Sequence, residues 1–446
     1  MSRINFRKLG WMNRYLYFRS KTPFPLTGEY LNYNEDSASF DNFDTCLYSI
    51  VKDNGILLGC PVISSDLNDL AKWLNFPVQR GGTILLYLET LFSVTLIENQ
   101  ILITNSIYLE DINSYQKSLL KILLLILKYY LPDSYYYVPE DQTLTDLLDM
   151  SESLNGALQK LEIEIIEEVT IEGYSSLGNR QNIFSFAKIY FFILWSRENA
   201  YREVSEPEKF IALDKRLRED MILTFSRLIW ADNIVVDTEK QVIKKYLEQS
   251  GLNKSRLKNL KLRISKTLKI SELNFAFNNE IICKYVIEQL ILLSMINNQE
   301  VWQEREMIEK ISRYLGFNNK KIEQLYYEVA LFFSKHYERL EFLKNNAAFN
   351  EFQDYMNDKL IILLRKNLSN IISEINETKE LSEILIKATK SSLTSHEKQK
   401  AKEQLIDIAR SIPALAIIAL PGGSIFFSIL VKVLPFNILP SSFQEE

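Results

Sequence analysis

The densest grouping of metal-ligating side chains in the sequence is an acidic turn, Trp230-Ala231-Asp232-Asn233-Ile234-Val235-Val236-Asp237-Thr238-Glu239-Lys240. Asp232, Asp237 and Glu239 offer carboxylate oxygens of the kind a hard divalent cation takes. Their spacing is not that of an EF-hand loop, which needs Gly at its sixth place and a bidentate Glu at its end. The same acids also have a structural use. Asp237 sits where a following helix needs a cap, and Glu239 falls in the first turn, where the helix dipole favours negative charge. Capping is the reading adopted for the trio, with metal coordination as its alternative. Other chemistry has few places to be. The only histidines are His336 and His396, and the three cysteines (Cys46, Cys60, Cys283) form no CxxC pattern. No HExxH motif, phosphate loop or nucleophile–base pair occurs, so the chain is expected to be non-enzymatic and to carry no cofactor.

The elements that must position these residues are helices. At 446 residues the chain has room for about two to four domains. Hydrophobic residues make up 47% and aromatics 12%, which excludes a disordered chain. The net charge of -5 provides no global basic field, so DNA is not an expected partner. Sparse, odd-numbered cysteines fit a reducing compartment and argue against a disulfide framework. The first 22 residues carry six basic side chains and no acid, interleaved with Phe6, Trp11, Tyr15, Tyr17 and Phe18. No apolar core of a secretory signal follows them. The segment is expected to be a first helix docked by its aromatics, with an anionic membrane surface or RNA phosphate as the functional alternative.

Residues 22–45 are turn-rich and polar, and 46–130 alternate apolar runs with breaks at Gly55, Gly59, Pro61, Pro77 and Gly81-Gly82. Leu119–Leu131 is the most apolar piece of this half, but it contains Lys121 and Lys128. Its length suits a buried core helix better than a membrane span. Residues 144–161 and 183–197 read as helices, and 162–171 as strand or helix. Residues 1–200 together read as a mostly helical domain without a recognisable motif.

The middle repeats. A shift of 65 residues aligns Asn233 with Asn298, Val236 with Val301, Glu239 with Glu304, Ile243 with Ile308, Gly251 with Gly316 and Asn253 with Asn318. Each copy reads as a buried helix, a polar turn and an amphipathic helix closed by Gly, and two such pairs are expected to pack as one α-bundle over 201–345. The pattern, with its acidic turn before a helix that begins with Glu, resembles the tellurite-resistance B-type (TerB-like) helical domain. Apolar residues at three- and four-residue steps from Phe349 to Ile375 then predict one long amphipathic helix. Either that helix or the bundle is expected to bind protein partners. A short helix follows before residue 390.

Residues 391–446 carry the strongest signature. Thr394-Ser395-His396-Glu397 is a capping box that opens a helix bearing Lys398, Lys400, Lys402 and Arg410. The run from Ser411 to Val431 has no charged residue. Its length suits one span, since about 20 apolar residues of helix cross a bilayer. Pro421-Gly422-Gly423 interrupts its middle, because neither residue type sustains a helical ladder. A kinked span, a re-entrant loop and a buried hairpin all fit the run. Pro413, Pro421, Gly422, Gly423, Lys432, Pro435, Leu439, Pro440, Ser441 and Phe443 follow a spacing that resembles the membrane-proximal segment of the leucine-zipper/EF-hand transmembrane (LETM) family. That resemblance implies a membrane-associated protein linked to cation homeostasis or envelope stress, with the ribosome as a partner implied by the family's ribosome-binding domain. No EF-hand pattern accompanies it. Basic residues concentrate before the run, which keeps the N-terminal part in the cytosol if the run spans. The expected protein is therefore mostly α, multi-domain, with its N-terminal part on the cytoplasmic face of a membrane. The alternative is a cytoplasmic helical interaction scaffold whose apolar run is buried in a core.

Overall fold

The computed structural model describes residues 10–24, 40–76, 81–98, 112–133, 142–150, 152–169, 182–200, 206–231, 237–264, 270, 279–294, 302–336, 361–362, 364–388 and 394–411. Among these residues the regular structure is helical, with no strand. The chain divides into two units, Met1–Tyr285 and Val286–Glu446. The first copy of the repeat lies in the first unit and most of the second copy in the second.

The first unit is built from α1 (Trp11–Lys21), α2 (Phe40–Asp53), α3 (Ser65–Trp73), α4 (Gly81–Glu98), α5 (Ile112–Tyr130), α6 (Leu144–Met150), α7 (Glu152–Val169), α8 (Ser185–Ala200), α9 (Glu208–Ile229), α10 (Asp237–Gln249) and α11 (Lys254–Ile264). α12 (Glu280–Ser294) begins in it. The apolar stretches singled out in the sequence are its core. On α5, Leu119, Ile122, Leu123 and Ile126 are buried. Lys121 stays exposed, and Lys128 reaches Glu206 at 2.7 Å. On α8, Phe186, Phe191, Phe192 and Trp195 are fully buried. The ring of Tyr129 on α5 meets Phe192 and Trp195 at centroid distances of 5.3 and 5.5 Å. Such tilted aromatic pairs add to what area burial alone provides. The stretch from Glu162 resolves as helix, since α7 continues to Val169.

α1 is a docked helix. Trp11 and Tyr15 are fully buried, and the Trp11 ring lies 4.3 Å from that of Phe76. Its N-terminus is capped from another element. The buried Glu162 carboxylate on α7 accepts from Gly10 N at 2.9 Å and from Met12 N at 2.7 Å. A side-chain anion here satisfies amides that have no partner inside the helix and sits at the positive end of its dipole.

The Gly81-Gly82 pair, expected as a break, instead opens α4. A Cβ on Gly82 would lie 2.7 Å from Ile63 Cγ2 and 2.5 Å from Asn68 Oδ1, and one on Gly81 would lie 2.9 Å from Phe76 Cβ. The pair is needed for the close approach of the α4 N-terminus to α3 and its flanking segments, which a sequence scan for turn residues reads as a stop.

The 65-residue repeat is present in the helix boundaries themselves. α10 (Asp237–Gln249) recurs as α13 (Trp302–Tyr314), and the start of α11 at Lys254 recurs as the start of α14 (Asn319–His336). Gly251 and Gly316 close the paired helices with φ of 62° and 87°, the left-handed geometry that lets a helix end in a tight turn. Asn253 and Asn318 then cap the next helices. Asn253 Oδ1 accepts from Arg256 N at 2.9 Å, and Asn318 Oδ1 accepts from Lys321 N at 2.9 Å. Glu239 and Glu304, which also match, are both buried.

In the second unit α13 packs on α14, and α15 (Leu368–Glu377), α16 (Lys379–Ala388) and α17 (Ser395–Ser411) pack mutually. The chain is helical on both sides of a turn at Asn367. Ile371, Ile375, Leu381, Ile384, Leu385, Ala401, Leu405 and Ile408 are buried in this trio of helices. The capping box expected at α17 is formed, with Thr394 Oγ1 accepting from Glu397 N at 3.3 Å and Glu397 Oε2 accepting from Thr394 N at 2.9 Å. Lys387 reaches Glu397 at 2.5 Å, and Lys400 pairs with Glu380.

Candidate functional site

Among the described residues of the first unit, two polar clusters are each built on a buried arginine, and they differ in what they leave free. The first is closed. Arg218 on α9 donates from Nε to Asp214 Oδ1 at 2.9 Å and from Nη2 to Asp214 Oδ2 at 2.9 Å. Nη2 also donates to Glu168 on α7, at 3.1 and 3.3 Å, and Nη1 reaches the Ser250 carbonyl at 3.5 Å. The side chains of Arg218 and Asp214 are 4% and 3% exposed, and that of Glu168 is 13%. One guanidinium therefore ties α7, α9 and the turn after α10 together, with donors from all three of its nitrogens spread over two carboxylates and a carbonyl. Burial raises the Glu168 carboxyl above its ordinary pKa, while Arg218 pulls it down. Burial lowers the pKa of nearby Lys188, whose ammonium lies 5.1 and 5.0 Å from the Tyr129 and Tyr130 rings. Tyr130 and Tyr87 share a hydrogen bond of 2.5 Å between their hydroxyls. The triad is a fastening.

The second cluster opens onto a half-open cavity of about 330 Å³ lined by α1, α2, α3, α4 and residues next to them. Its polar wall is the Arg19–Glu89 pair, with Nε to Oε1 at 2.8 Å. The Tyr15 hydroxyl donates to the same oxygen at 2.9 Å. Arg19 Nη1 makes long contacts of 3.4 and 3.5 Å to the Thr22 and Pro23 carbonyls. The guanidinium lies over Phe24 at 4.8 Å, and Phe24 stacks on Phe92 with centroids 6.0 Å apart. Apolar wall comes from Phe18, Ile50, Leu67, Leu70 and Ile97. Burial raises the Glu89 carboxyl above its ordinary value, opposed by Arg19. Burial also raises the Tyr15 hydroxyl, and the Glu89 charge adds to that.

The hydroxyls of the cavity wall bond within the chain. Ser93 Oγ donates to the Glu89 carbonyl at 2.6 Å, Thr90 Oγ1 donates to the Leu86 carbonyl at 2.8 Å, and Ser64 Oγ caps α3 by accepting from Leu67 N at 3.2 Å. The ion pair leaves two charged atoms over: among the described residues Arg19 Nη2 and Glu89 Oε2 have no hydrogen-bond partner, and neither is a fully buried atom without one.

Of the residues singled out from the sequence, Tyr15, Phe18 and Arg19 of the basic first segment lie in the second cluster, whereas the acidic trio, the histidines and the family-motif residues lie in neither. Glu239 is buried on α10, Asp237 is the first residue of that helix with its side chain outside the described set, and Asp232 lies outside the described residues. His396 is exposed in the first turn of α17. Ser411 is the last residue of α17. Val431 and the family-motif residues, Pro413, Pro421, Gly422, Gly423, Lys432, Pro435, Leu439, Pro440, Ser441 and Phe443, all lie outside the described residues. Among the described residues no group of three or more His, Cys, Asp or Glu is placed to hold a metal ion, and no helix is long and apolar enough to cross a membrane.

Signals for both clusters were present in the sequence. Glu89 is the only charged residue between Ile84 and Ile97, and an isolated carboxylate within an apolar helix has to find a buried partner. Asp214 and Arg218 stand four apart on a helix, the spacing of an ion pair. Neither signal names the partner helix. Compared with known proteins, the chain matches no protein family, no curated protein and no solved structure.

Proposed function

We propose that the chain is a non-enzymatic, membrane-associated helical protein of LETM-like type. In this reading its two helical units face the cytosol, where their TerB-like repeats engage protein partners, and the run 411–431 provides the membrane contact. The observation that carries the reading is the charge pattern at that run. Its 21 residues from Ser411 to Val431 contain no ionisable side chain, and four basic residues stand within the 15 positions before it. Such a segment gains free energy on leaving water, and the flanking cations favour the anionic cytoplasmic face. Two features of the described chain are consistent with this. α17 carries helical structure up to Ser411, where the uncharged run begins. The repeated cap-and-glycine geometry of α10 and α13 suits duplicated helical modules of an interaction protein. Cation homeostasis or envelope stress is the setting the LETM resemblance implies, with the ribosome as a partner.

Flotation with vesicles containing anionic lipid tests the proposal. The full chain should float with the vesicles. A chain ending at Ser411, and a full-length Ile417→Asp/Ile425→Asp variant, should stay at the bottom of the gradient. If all three sediment alike, the run is a buried hairpin and the protein is a helical scaffold without a membrane role.

A further inference from the structure

We propose that the cavity between α1, α2, α3 and α4 binds a neutral small molecule with an apolar, ring-sized body and one carboxamide-type edge. Its volume, about 330 Å³, is at the lower end of the range that holds metabolite-sized ligands. The apolar wall suits a ring. Phe18, Leu67, Leu70 and Ile97 contribute carbon surface, and Phe24 is held in place by stacking on Phe92 and by the Arg19 guanidinium over its face.

The polar requirement follows from what the Arg19–Glu89 pair leaves unused. Glu89 Oε1 is saturated by Arg19 Nε and the Tyr15 hydroxyl, whereas Oε2 accepts from none of the described residues. Arg19 spends Nε on Glu89 and Nη1 on the chain after α1, whereas Nη2 donates to none of the described residues. Neither atom is a fully buried group without a partner, and both side chains line this cavity. A group that completes the pair must accept from a guanidinium N–H and donate to a carboxylate oxygen. A carboxamide, lactam or urea edge does both.

Charge selects the neutral form. Arg19 and Glu89 cancel, and the remaining ionisable wall residue is Asp66, exposed at the rim in the first turn of α3. An anion would face Glu89 and Asp66 with a guanidinium that is already paired. A cation would compete with Arg19 for Glu89 and leave Arg19 buried without its partner, which is the costly outcome for a charge with 8% of its side chain exposed. A neutral edge avoids both penalties. The site is independent of the membrane reading, because it lies wholly within the first unit and needs no residue beyond Ile97.

Titration of the full chain by calorimetry or ligand-observed NMR with benzamide, benzoate, benzylamine and acetophenone tests this. Acetophenone keeps the carbonyl and the shape but replaces the amide NH2 by CH3. Benzamide is expected to bind with a Kd of about a millimolar, as befits so few heavy atoms. The other three should bind at least about tenfold more weakly, each having lost one of the two hydrogen bonds or carrying an unbalanced charge. Ser93→Phe fills the cavity and removes no bond between helices, because the Ser93 hydroxyl bonds only within α4. It should abolish benzamide binding with the far-UV circular dichroism unchanged. Glu89→Gln should reduce the preference for benzamide over acetophenone. Failure of benzamide to bind, equal or tighter binding of any of the three comparators, or unaltered binding to Ser93→Phe overturns the proposal. The ligand-side comparison stands even if Glu89→Gln does not fold.

Discussion

Replacing Arg218 with Met is the sharpest test of how the first unit is held together. The substitution keeps a flexible side chain of comparable length but removes the charge. Asp214 and Glu168 are then left with side chains only 3% and 13% exposed and no cation between them, and the Ser250 carbonyl at the turn after α10 loses its donor. Breaking a buried pair by removing one partner costs about 3–5 kcal/mol, most of it the burial of uncompensated charge. A triple variant, Arg218→Met/Asp214→Leu/Glu168→Met, leaves no such charge and should recover most of that loss, because hydrophobic replacement of a whole buried ion cluster is often near neutral. The pH dependence has a definite sign. Burial raises the folded-state pKa of Glu168 above its ordinary value of 4.5. The folded state therefore holds that proton more tightly than the unfolded state, and this group's contribution to stability falls as pH rises from 4.5 through the folded value. Arg218 limits the rise. Without it the folded value moves higher, so the deficit of Arg218→Met should be largest near neutral pH and shrink on acidification. Urea unfolding, followed by the fluorescence of the buried Trp11 and Trp195 at about pH 7 and about pH 4.5, reads both quantities. A loss below about 1 kcal/mol, or a loss independent of pH, would refute the triad as the fastening of α7, α9 and α10.

Glu162→Gln should destabilise the first unit by about 1–2 kcal/mol, because the carboxylate that accepts the Gly10 and Met12 amides gives way to a neutral group with one acceptor; chemical denaturation checks this. Gly316→Ala should cost about 1–2 kcal/mol through backbone strain alone, since φ is 87° and a Cβ there meets nothing within 4 Å. Gly251→Ala, at φ 62° with Arg218 Nη1 at 3.9 Å, should cost a similar amount; unequal costs in thermal melts would contradict the equivalence of the two repeat closures. Lys387 and the Thr394 cap hold the Glu397 carboxyl down at about 2. Its support of α17 is thus present above the ordinary carboxylate range and is lost as pH falls from 4.5 towards 2. Glu397→Gln should flatten that acid limb, as seen in amide exchange of the first turn of α17.

The helical class was legible because its cause is local. The capping box at Thr394, the glycine closures at Gly251 and Gly316, and the Asn253 and Asn318 caps are set by residues within a few positions of each other. The glycine closures and the Asn caps repeat in the structure as they do in the sequence. Gly81-Gly82 misled because its reason is tertiary, the proximity of Ile63 and Asn68. The cavity and the Arg218 triad were only partly legible for the same reason. Glu89 is visible as an isolated carboxylate, but its partner Arg19 is 70 residues away on another helix, and no spacing rule spans that distance. The acidic turn at 232–239 drew attention because acids cluster there in sequence, whereas only Glu239 of the trio has a described side chain, and it is buried.

Membrane attachment through residues 411–431 is the central claim, and carbonate extraction measures it most directly. Membranes from cells producing the full chain are washed at alkaline pH, alongside membranes from cells producing a chain that ends at Ser411. The full chain should stay in the membrane pellet and the shorter chain should leave with the wash. Release of both into the soluble fraction would contradict that claim.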